Sequence, residues 1–184
     1  MSQATDITRQ LPLAWPSYIA GEPVQTGNTL EVRYPWDGSL TGTLPRITPE
    51  QLEQAILAAL GQAQPPTRNE RYEILMRARD LLAGRADEFA NLIRLESGLC
   101  MRETRYEVGR AQEVFKFAAA EALRDDESIF SCDAARNGPA RKIFTLREPL
   151  SLVAAITPFN HPLNQVAHKL APAIAAGVPV LLKP

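Results

Sequence analysis

The sequence is poor in several features that mark particular classes of protein. It has only two cysteines in 184 residues, Cys100 and Cys132, with no CxxC or Cys/His spacing, which argues against a disulfide framework and a cysteine zinc site. The 20 basic and 21 acidic residues almost cancel, so no overall positive field attracts nucleic acid. We therefore expect no metal, no nucleic-acid partner and a reducing, cytoplasmic location.

Common signatures of ligand binding and targeting are also missing. The 10 glycines form neither a GxGxxG nor a GxxxxGK[ST] loop, and HExxH and GxSxG do not occur. Asp6 and Arg9 stand where a secretion signal needs its apolar stretch. The uncharged stretch 149–168 contains prolines, asparagines and histidines that lipid would exclude. We expect no signal peptide and no membrane partner.

The first half of the chain reads as short strands followed by helices. Turn residues and alternating segments over the first 45 residues predict hairpins. Capping boxes at Thr48 and Thr67 predict the starts of two amphipathic helices. Gly84 is expected to separate the second helix from a third, which ends near Gly98.

A fourth helix is predicted from Arg102 to about Leu123, where apolar residues recur at helical spacing. Three of its carboxylates, Glu103, Glu107 and Glu113, fall largely off that apolar stripe. We interpret them as a solvated face and not as an acid/base pair.

The sequence pattern changes in the last third of the chain. Two β-rich segments around an Asn-Gly tip predict a hairpin over residues 126–148, whose unpaired edges need cover from another chain or domain. An apolar strand at 151–156, a helix over about 162–176 with His168 in its core, and a strand at 179–183 predict a β-α-β unit. One such unit leaves most of its sheet hydrogen bonding unsatisfied, so we expect the front part of a longer protein.

The β-α-β unit also predicts where a ligand binds. Ligands of parallel sheets bind beyond the carboxyl ends of the strands. Residues 157–161 follow the first strand and Lys183 ends the second. We expect an amide, an imidazole and an ammonium group to face one crevice there.

Several segments around this crevice are distinctive: ITPFNHPLN at 156–164, HKLAPAIAAG at 168–177 and LLKP at 181–184. Together they resemble the aldehyde dehydrogenase superfamily. Within it, three further segments are similar to the phosphonoacetaldehyde dehydrogenases: YEVGR at 106–110, IFSCD at 129–133 and ARKIFT at 140–145.

The resemblance implies an incomplete α/β fold of the aldehyde dehydrogenase type. Residues 1–125 would be the N-terminal strands and the helical part of the cofactor-binding domain. Residues 126–148 would be a projecting β-hairpin used for homo-oligomerisation, and residues 149–184 the first β-α-β unit of a Rossmann-type cofactor domain, truncated.

The activity implied is the NAD- or NADP-dependent oxidation of a small aldehyde, phosphonoacetaldehyde, to phosphonoacetate. In such enzymes a cysteine thiolate attacks the aldehyde, hydride leaves for the nicotinamide, and water activated by a glutamate releases the acid. Neither Cys100 nor Cys132 has the context of that nucleophile. We therefore expect the catalytic cysteine and glutamate beyond residue 184, and an inactive 184-residue chain.

The resemblance also implies roles for individual residues. Asn160 matches the amide that stabilises the developing oxyanion. Ile156, Thr157 and Phe159 match the lining beside the nicotinamide, and Lys183 matches the lysine that hydrogen-bonds the adenosine ribose. Without the motif, Asn160 would be read as a turn cap and Lys183 as a solvated strand end.

Arg110 and His161 match residues that hold the substrate's phosphonate, Arg110 as a bidentate fork and His161 through its place beside Asn160. An exposed arginine and a capping histidine are the simpler interpretations of both. Two alternative functions also stay open: a dehydrogenase for another small aldehyde of the lactaldehyde or sugar phosphate type, or a non-catalytic truncated remnant. A dimer and a tetramer are equally compatible with the hairpin.

Overall fold

The protein is described by a computed structural model that covers residues 13–62 and 64–184. The positions Asp6 and Arg9, on which the absence of a signal peptide was inferred, lie outside the described residues. The strands before the helices are β1 Ser17–Ile19, β2 Glu22–Val24, β3 Thr29–Arg33 and β4 Leu40–Pro45. Four helices follow, α1 Pro49–Leu60, α2 Arg68–Gly84, α3 Ala86–Ser97 and α4 Met101–Ala122. The last elements are β5 Ser128–Ser131, β6 Lys142–Thr145, β7 Val153–Ile156, α5 Pro162–Ala176 and β8 Val180–Lys183.

The helices begin and end where the sequence predicts. Both capping boxes form: the backbone N–H of Gln51 donates to the Thr48 hydroxyl at 3.2 Å, and the backbone N–H of Thr67 donates to the Glu70 carboxylate at 2.7 Å. Gly98 ends α3 with a φ of 75°, a conformation that suits a residue without a side chain. Local hydrogen bonds therefore fix these ends.

The core lies where α4 packs against α2, α3 and α5. Small side chains of α4 and α5 let the helix axes approach closely, with larger aliphatic residues from α2 and α3 filling the remaining space. The buried residues of this core include Leu75, Leu82, Ile93, Val108, Ala111, Ala118, Ala119, Ala167 and Ala171.

Two expectations about burial were wrong. Glu107 was assigned to a solvated face, but it is 1% exposed, because it lies three residues after buried Thr104 and four before buried Ala111 on the face of α4 that meets α5. His168 was expected in the core, but it is exposed. It follows buried Ala167 and therefore turns about 100° away from the buried face of α5.

The strands form pairs as expected. β1 pairs with β2, β3 with β4 and β5 with β6, all antiparallel, whereas β7 and β8 are parallel and joined by α5. Within the described part of the chain, β5 and β6 pair with each other alone. The predicted hairpin and β-α-β unit are therefore both present, and the last unit sets the edge where a ligand is expected.

Candidate functional site

The carboxyl ends of β7 and β8 lie side by side. Ile156 and Lys183 are partners in the parallel register, and the backbone N–H of Thr157 donates to the Lys183 carbonyl at 3.1 Å. Residues 157–161 then lead from β7 into α5. The structure thus brings the two predicted strand ends to one edge of the sheet.

The side chains expected to line a nicotinamide are accessible at this edge. Ile156 is 68% exposed and Phe159 is 90% exposed, while Thr157 is half-buried. Asn160 and Lys183 are exposed too. Apolar side chains as open as these have an unfavourable contact with water, which a bound ring or another protein surface would relieve.

The amino end of α5 is closed by a side chain from another helix. Pro162 has no N–H, and the next two backbone N–H groups, of Leu163 and Asn164, donate to Glu107 Oε1 at 2.8 and 2.9 Å. His161 is the N-cap residue, yet its side chain makes no capping hydrogen bond. Glu107 therefore acts as the cap, with its negative charge at the positive end of the helix.

Glu107 also contacts His161. Its Oε2 lies 3.5 Å from His161 Nδ1, and the imidazole side chain is 45% exposed. Within residues 13–62 and 64–184, both Glu107 Oε2 and Asn164 Oδ1 are buried and have no hydrogen-bond partner. The sequence-based prediction missed Glu107, although its place between Thr104 and Ala111 at helical spacing was a usable signal.

Arg110 lies one turn after Glu107 on α4, close to it along the same side of the helix. It is exposed, and no acidic side chain pairs with it among the residues that the structure describes. The structure joins Glu107 to His161 directly. It shows no hydrogen bond or ion pair from Arg110 to His161 or Asn160 within the described ranges.

An apolar groove of about 780 Å³ opens beside the 157–161 turn. Thr157, Pro158 and Phe159 line one part of it, and residues of β4 and α3 line much of the rest. Glu96 belongs to this groove, where desolvation raises the pKa of its carboxyl and the charge of Glu107 raises the pKa further. The groove therefore disfavours negative charge at Glu96.

No group of three His, Cys, Asp or Glu side chains in residues 13–62 and 64–184 is arranged to hold a metal ion. Cys100 is exposed and Cys132 is half-buried, and both thiols are free. None of the helices found in these ranges combines the length and the apolar character needed to cross a membrane.

The geometry defines an α/β chain in which two parallel strands, β7 and β8, end side by side at the edge where a ligand is expected. The sequence profile of the aldehyde dehydrogenase family matches residues 23–184. The chain belongs to this family.

Curated relatives share the same region. A 3-sulfolactaldehyde dehydrogenase of Priestia aryabhattai is 38% identical over 168 residues, which cover 91% of this chain and 35% of that protein. Aspartate-semialdehyde dehydrogenase 1 of Pseudomonas canavaninivorans is 41% identical over 159 residues, or 84% of this chain and 34% of that protein. The chain thus spans about a third of the length of the curated relatives that it matches.

Solved structures confirm the expected α/β aldehyde-dehydrogenase-like fold. Aldehyde dehydrogenase 21 of Physcomitrella patens, in complex with its product succinate, matches with a TM-score of 0.89 and 30% identity over 95% of this chain and 37% of that one. The NADP complex of a glyceraldehyde-3-phosphate dehydrogenase from Bacillus halodurans C-125 matches with a TM-score of 0.82 and 31% identity over 88% and 35%.

A third structure, betaine aldehyde dehydrogenase of Staphylococcus aureus with NAD+, has a TM-score of 0.85 and 27% identity over 97% of this chain and 36% of that one. Solved relatives therefore hold NAD+ or NADP, as the resemblance implied. The relatives are named for different aldehydes. The narrower similarity to phosphonoacetaldehyde dehydrogenases stays a prediction.

Proposed function

We propose that the chain is the amino-terminal third of an NAD(P)-dependent aldehyde dehydrogenase that oxidises a small anionic aldehyde, phosphonoacetaldehyde, to phosphonoacetate. The observation that carries this proposal is the placement of His161 beside Asn160 and against Glu107, with the exposed guanidinium of Arg110 one turn along α4. Relatives named for 3-sulfolactaldehyde and aspartate semialdehyde support it, since both substrates carry an acid group next to a short aldehyde chain.

In this proposal Arg110 and His161 bind the phosphonate oxygens, where hydrogen bonds to a charged group are the stronger kind. Asn160 donates its side-chain N–H to the oxyanion that develops on the aldehyde oxygen. Asn160 directly precedes His161 in the chain. That neighbourhood suits phosphonoacetaldehyde, in which one methylene separates the phosphonate from the carbonyl.

The residues at the strand ends fit an NAD(P) cofactor. Lys183 offers an exposed ammonium group as a hydrogen-bond donor to ribose hydroxyls, and Ile156 pairs with it in register. Phe159 and Thr157 line the neighbouring groove and offer an apolar face and a hydroxyl. When bound, the nicotinamide supplies the hydride acceptor.

The hairpin over residues 126–148 is proposed to join copies of the protein into a homo-oligomer, between the segments 1–125 and 149–184 of the cofactor-binding domain. Its two strands pair with each other alone in the described part of the chain, so both outer edges are open. Two free cysteines accord with the reducing cytoplasm that we propose as its location.

Substitutions in the complete dehydrogenase test the substrate. Arg110→Ala should lower kcat/KM for phosphonoacetaldehyde by about one to two decades, from roughly 1.5–3 kcal/mol for charged, bidentate hydrogen bonds. The loss with propanal, which has no anion, should be much smaller. Asn160→Ala should slow both aldehydes by about a hundredfold or more, because both form the same oxyanion.

Arg102→Ala is the matched control, an exposed arginine on the same helix that pairs with Glu103. It should leave both aldehydes unaffected. Equal losses with propanal and phosphonoacetaldehyde in Arg110→Ala would show that Arg110 supports the fold and does not bind the phosphonate. A wild-type enzyme that prefers lactaldehyde or a sugar phosphate aldehyde would favour the alternative substrates.

A further inference from the structure

The buried carboxylate of Glu107 links α4 to the turn that carries Asn160 and His161. Glu107 is 1% exposed, and its Oε1 accepts the backbone N–H groups of Leu163 and Asn164. A carboxylate is costly to bury without hydrogen bonds or a nearby positive charge. Here the helix end supplies both, so the contact defines where α5 begins relative to α4.

The second carboxylate oxygen is differently placed. Within the described ranges, Glu107 Oε2 is buried and lacks a hydrogen-bond partner, and His161 Nδ1 lies 3.5 Å from it. A buried acceptor without a donor is unfavourable by about 1–3 kcal/mol. A proton on Nδ1 removes that cost after a shift of about half an ångström, which brings the pair into hydrogen-bond range.

We propose that Glu107 is a positioning residue of the dehydrogenase. Through Oε1 it holds the amino end of α5, and with it the Asn160 amide just upstream. Through Oε2 it accepts the Nδ1 proton of His161, so that Nε2 lies on the opposite, solvent side of the ring, where it donates to the phosphonate when the imidazole carries its second proton. The catalytic consequence rests on the proposed function, whereas the orientation of His161 is a property of the chain itself.

The two oxygens make separable contributions. The backbone N–H groups of Leu163 and Asn164 need only an acceptor, which a glutamine amide also provides. The Nδ1 proton of His161 needs an acceptor at the second position, where glutamine presents an NH2 donor instead. Glu107→Gln therefore tests the contact with His161, and Glu107→Ala removes both contacts.

Kinetics of the complete dehydrogenase test the catalytic part. Glu107→Gln should raise KM for phosphonoacetaldehyde on the order of tenfold while kcat changes little. Glu107→Ala should in addition lower kcat on the order of tenfold to a hundredfold, with propanal as well, because the Asn160 turn loses its support. Glu113→Gln is the matched control, since Glu113 is exposed on the same helix and pairs with Lys116. If both Glu107 variants lose thermal stability but keep wild-type kcat and KM per active site, the role is structural only and the proposal is wrong.

Nitrogen-15 NMR tests the orientation independently of activity. The 184-residue chain has two histidines, His161 and His168, so its spectrum contains the signals of two imidazoles. In the complete enzyme, the difference from the spectrum of a His161→Gln variant identifies the His161 signal. At a pH where imidazole is neutral, His161 should carry its proton on Nδ1, and exposed His168 is the internal reference. The same tautomer mixture at both residues would overturn the proposal without any Glu107 variant. If His161 carries its proton on Nδ1 but the complete enzyme does not oxidise phosphonoacetaldehyde, the orientation is supported and the proposed substrate is wrong.

Discussion

Neighbouring acidic residues of α4 have different energetic roles. Glu113 pairs with Lys116 at 3.3 Å on the surface, where such a pair contributes about 0–1 kcal/mol. Glu107 is buried and satisfies two backbone N–H groups, those of Leu163 and Asn164. Losing it leaves two unsatisfied donors at roughly 1–3 kcal/mol each. Burial, and not residue type, decides which of these carboxylates contributes more to the stability of the fold.

Glu96 provides a residue-level prediction about pH. Because its pKa is raised in the folded chain, the folded state holds the proton more tightly than the unfolded state. Stability therefore falls as pH rises from the ordinary glutamate pKa through the raised one. Glu96→Gln should remove this loss, so the variant should be more stable than the wild type at pH 8 and nearly equal to it at pH 4.5. Urea midpoints at the two pH values measure the difference.

Glu113→Gln is the control for the Glu96 experiment, since Glu113 lies on the surface beside Lys116. Glu96 keeps an exposed surface, so the gain should be modest. A Glu96→Gln variant that gains equally at both pH values would contradict a titration effect.

At the level of whole elements, the sequence is informative wherever the partners are close in the chain. The capping boxes at Thr48 and Thr67 were predicted because each joins residues three apart. The cap on α5 was missed because its partner, Glu107, lies 56 residues away from Leu163. Such a contact depends on how two helices pack, which periodicity in one helix does not specify.

The same limit applies to the candidate site. The pairing of Ile156 with Lys183 follows from β-α-β topology, so the edge could be predicted from sequence. The contact between His161 and Glu107 could not, because it depends on the packing of α4 against α5. The roles assigned to Asn160 and the other site residues stay predictions.

The β5–β6 hairpin has exposed apolar side chains along both strands. Ile129 and Phe144 face each other in register and are 67% and 66% exposed, and Phe130 and Ile143 are each 52% exposed. A two-stranded hairpin is marginal by itself in water. These side chains therefore favour a hairpin covered by a partner surface.

An element-level prediction follows for the complete dehydrogenase. Ile129→Glu combined with Phe144→Lys should weaken self-association, because each apolar side chain contributes about 1.5–3 kcal/mol on burial and together they correspond to on the order of a hundredfold or more in Kd. Sedimentation velocity over a range of concentrations measures the change. Arg136→Ala, at the exposed tip of the hairpin, is the control. An unchanged oligomer in the double variant would place the interface elsewhere.

At the scale of the whole molecule, many apolar side chains are exposed to solvent. β7 and β8 form a two-stranded parallel sheet in the described ranges, an arrangement usually found within larger sheets covered on both faces. Phe159 is 90% exposed, and the apolar groove lies beside it. In solved relatives the matched region is about a third of the chain. We expect the other two thirds of the proposed dehydrogenase to cover this surface.

The last prediction concerns the 184-residue chain by itself, which should not oxidise aldehydes with NAD or NADP. It supplies the proposed oxyanion donor and substrate anion site but no thiol at the ligand edge, since Cys100 is the N-cap residue of α4 and Cys132 follows β5. Without an attacking thiolate the covalent step has no nucleophile. Absorbance of the reduced cofactor, with phosphonoacetaldehyde and with propanal, measures the activity, and the complete dehydrogenase is the positive control. Turnover that a Cys100→Ser or Cys132→Ser variant abolishes would make that cysteine the nucleophile. Turnover that persists in the double variant, Cys100→Ser with Cys132→Ser, would contradict the claim that the reaction needs a cysteine from outside this chain.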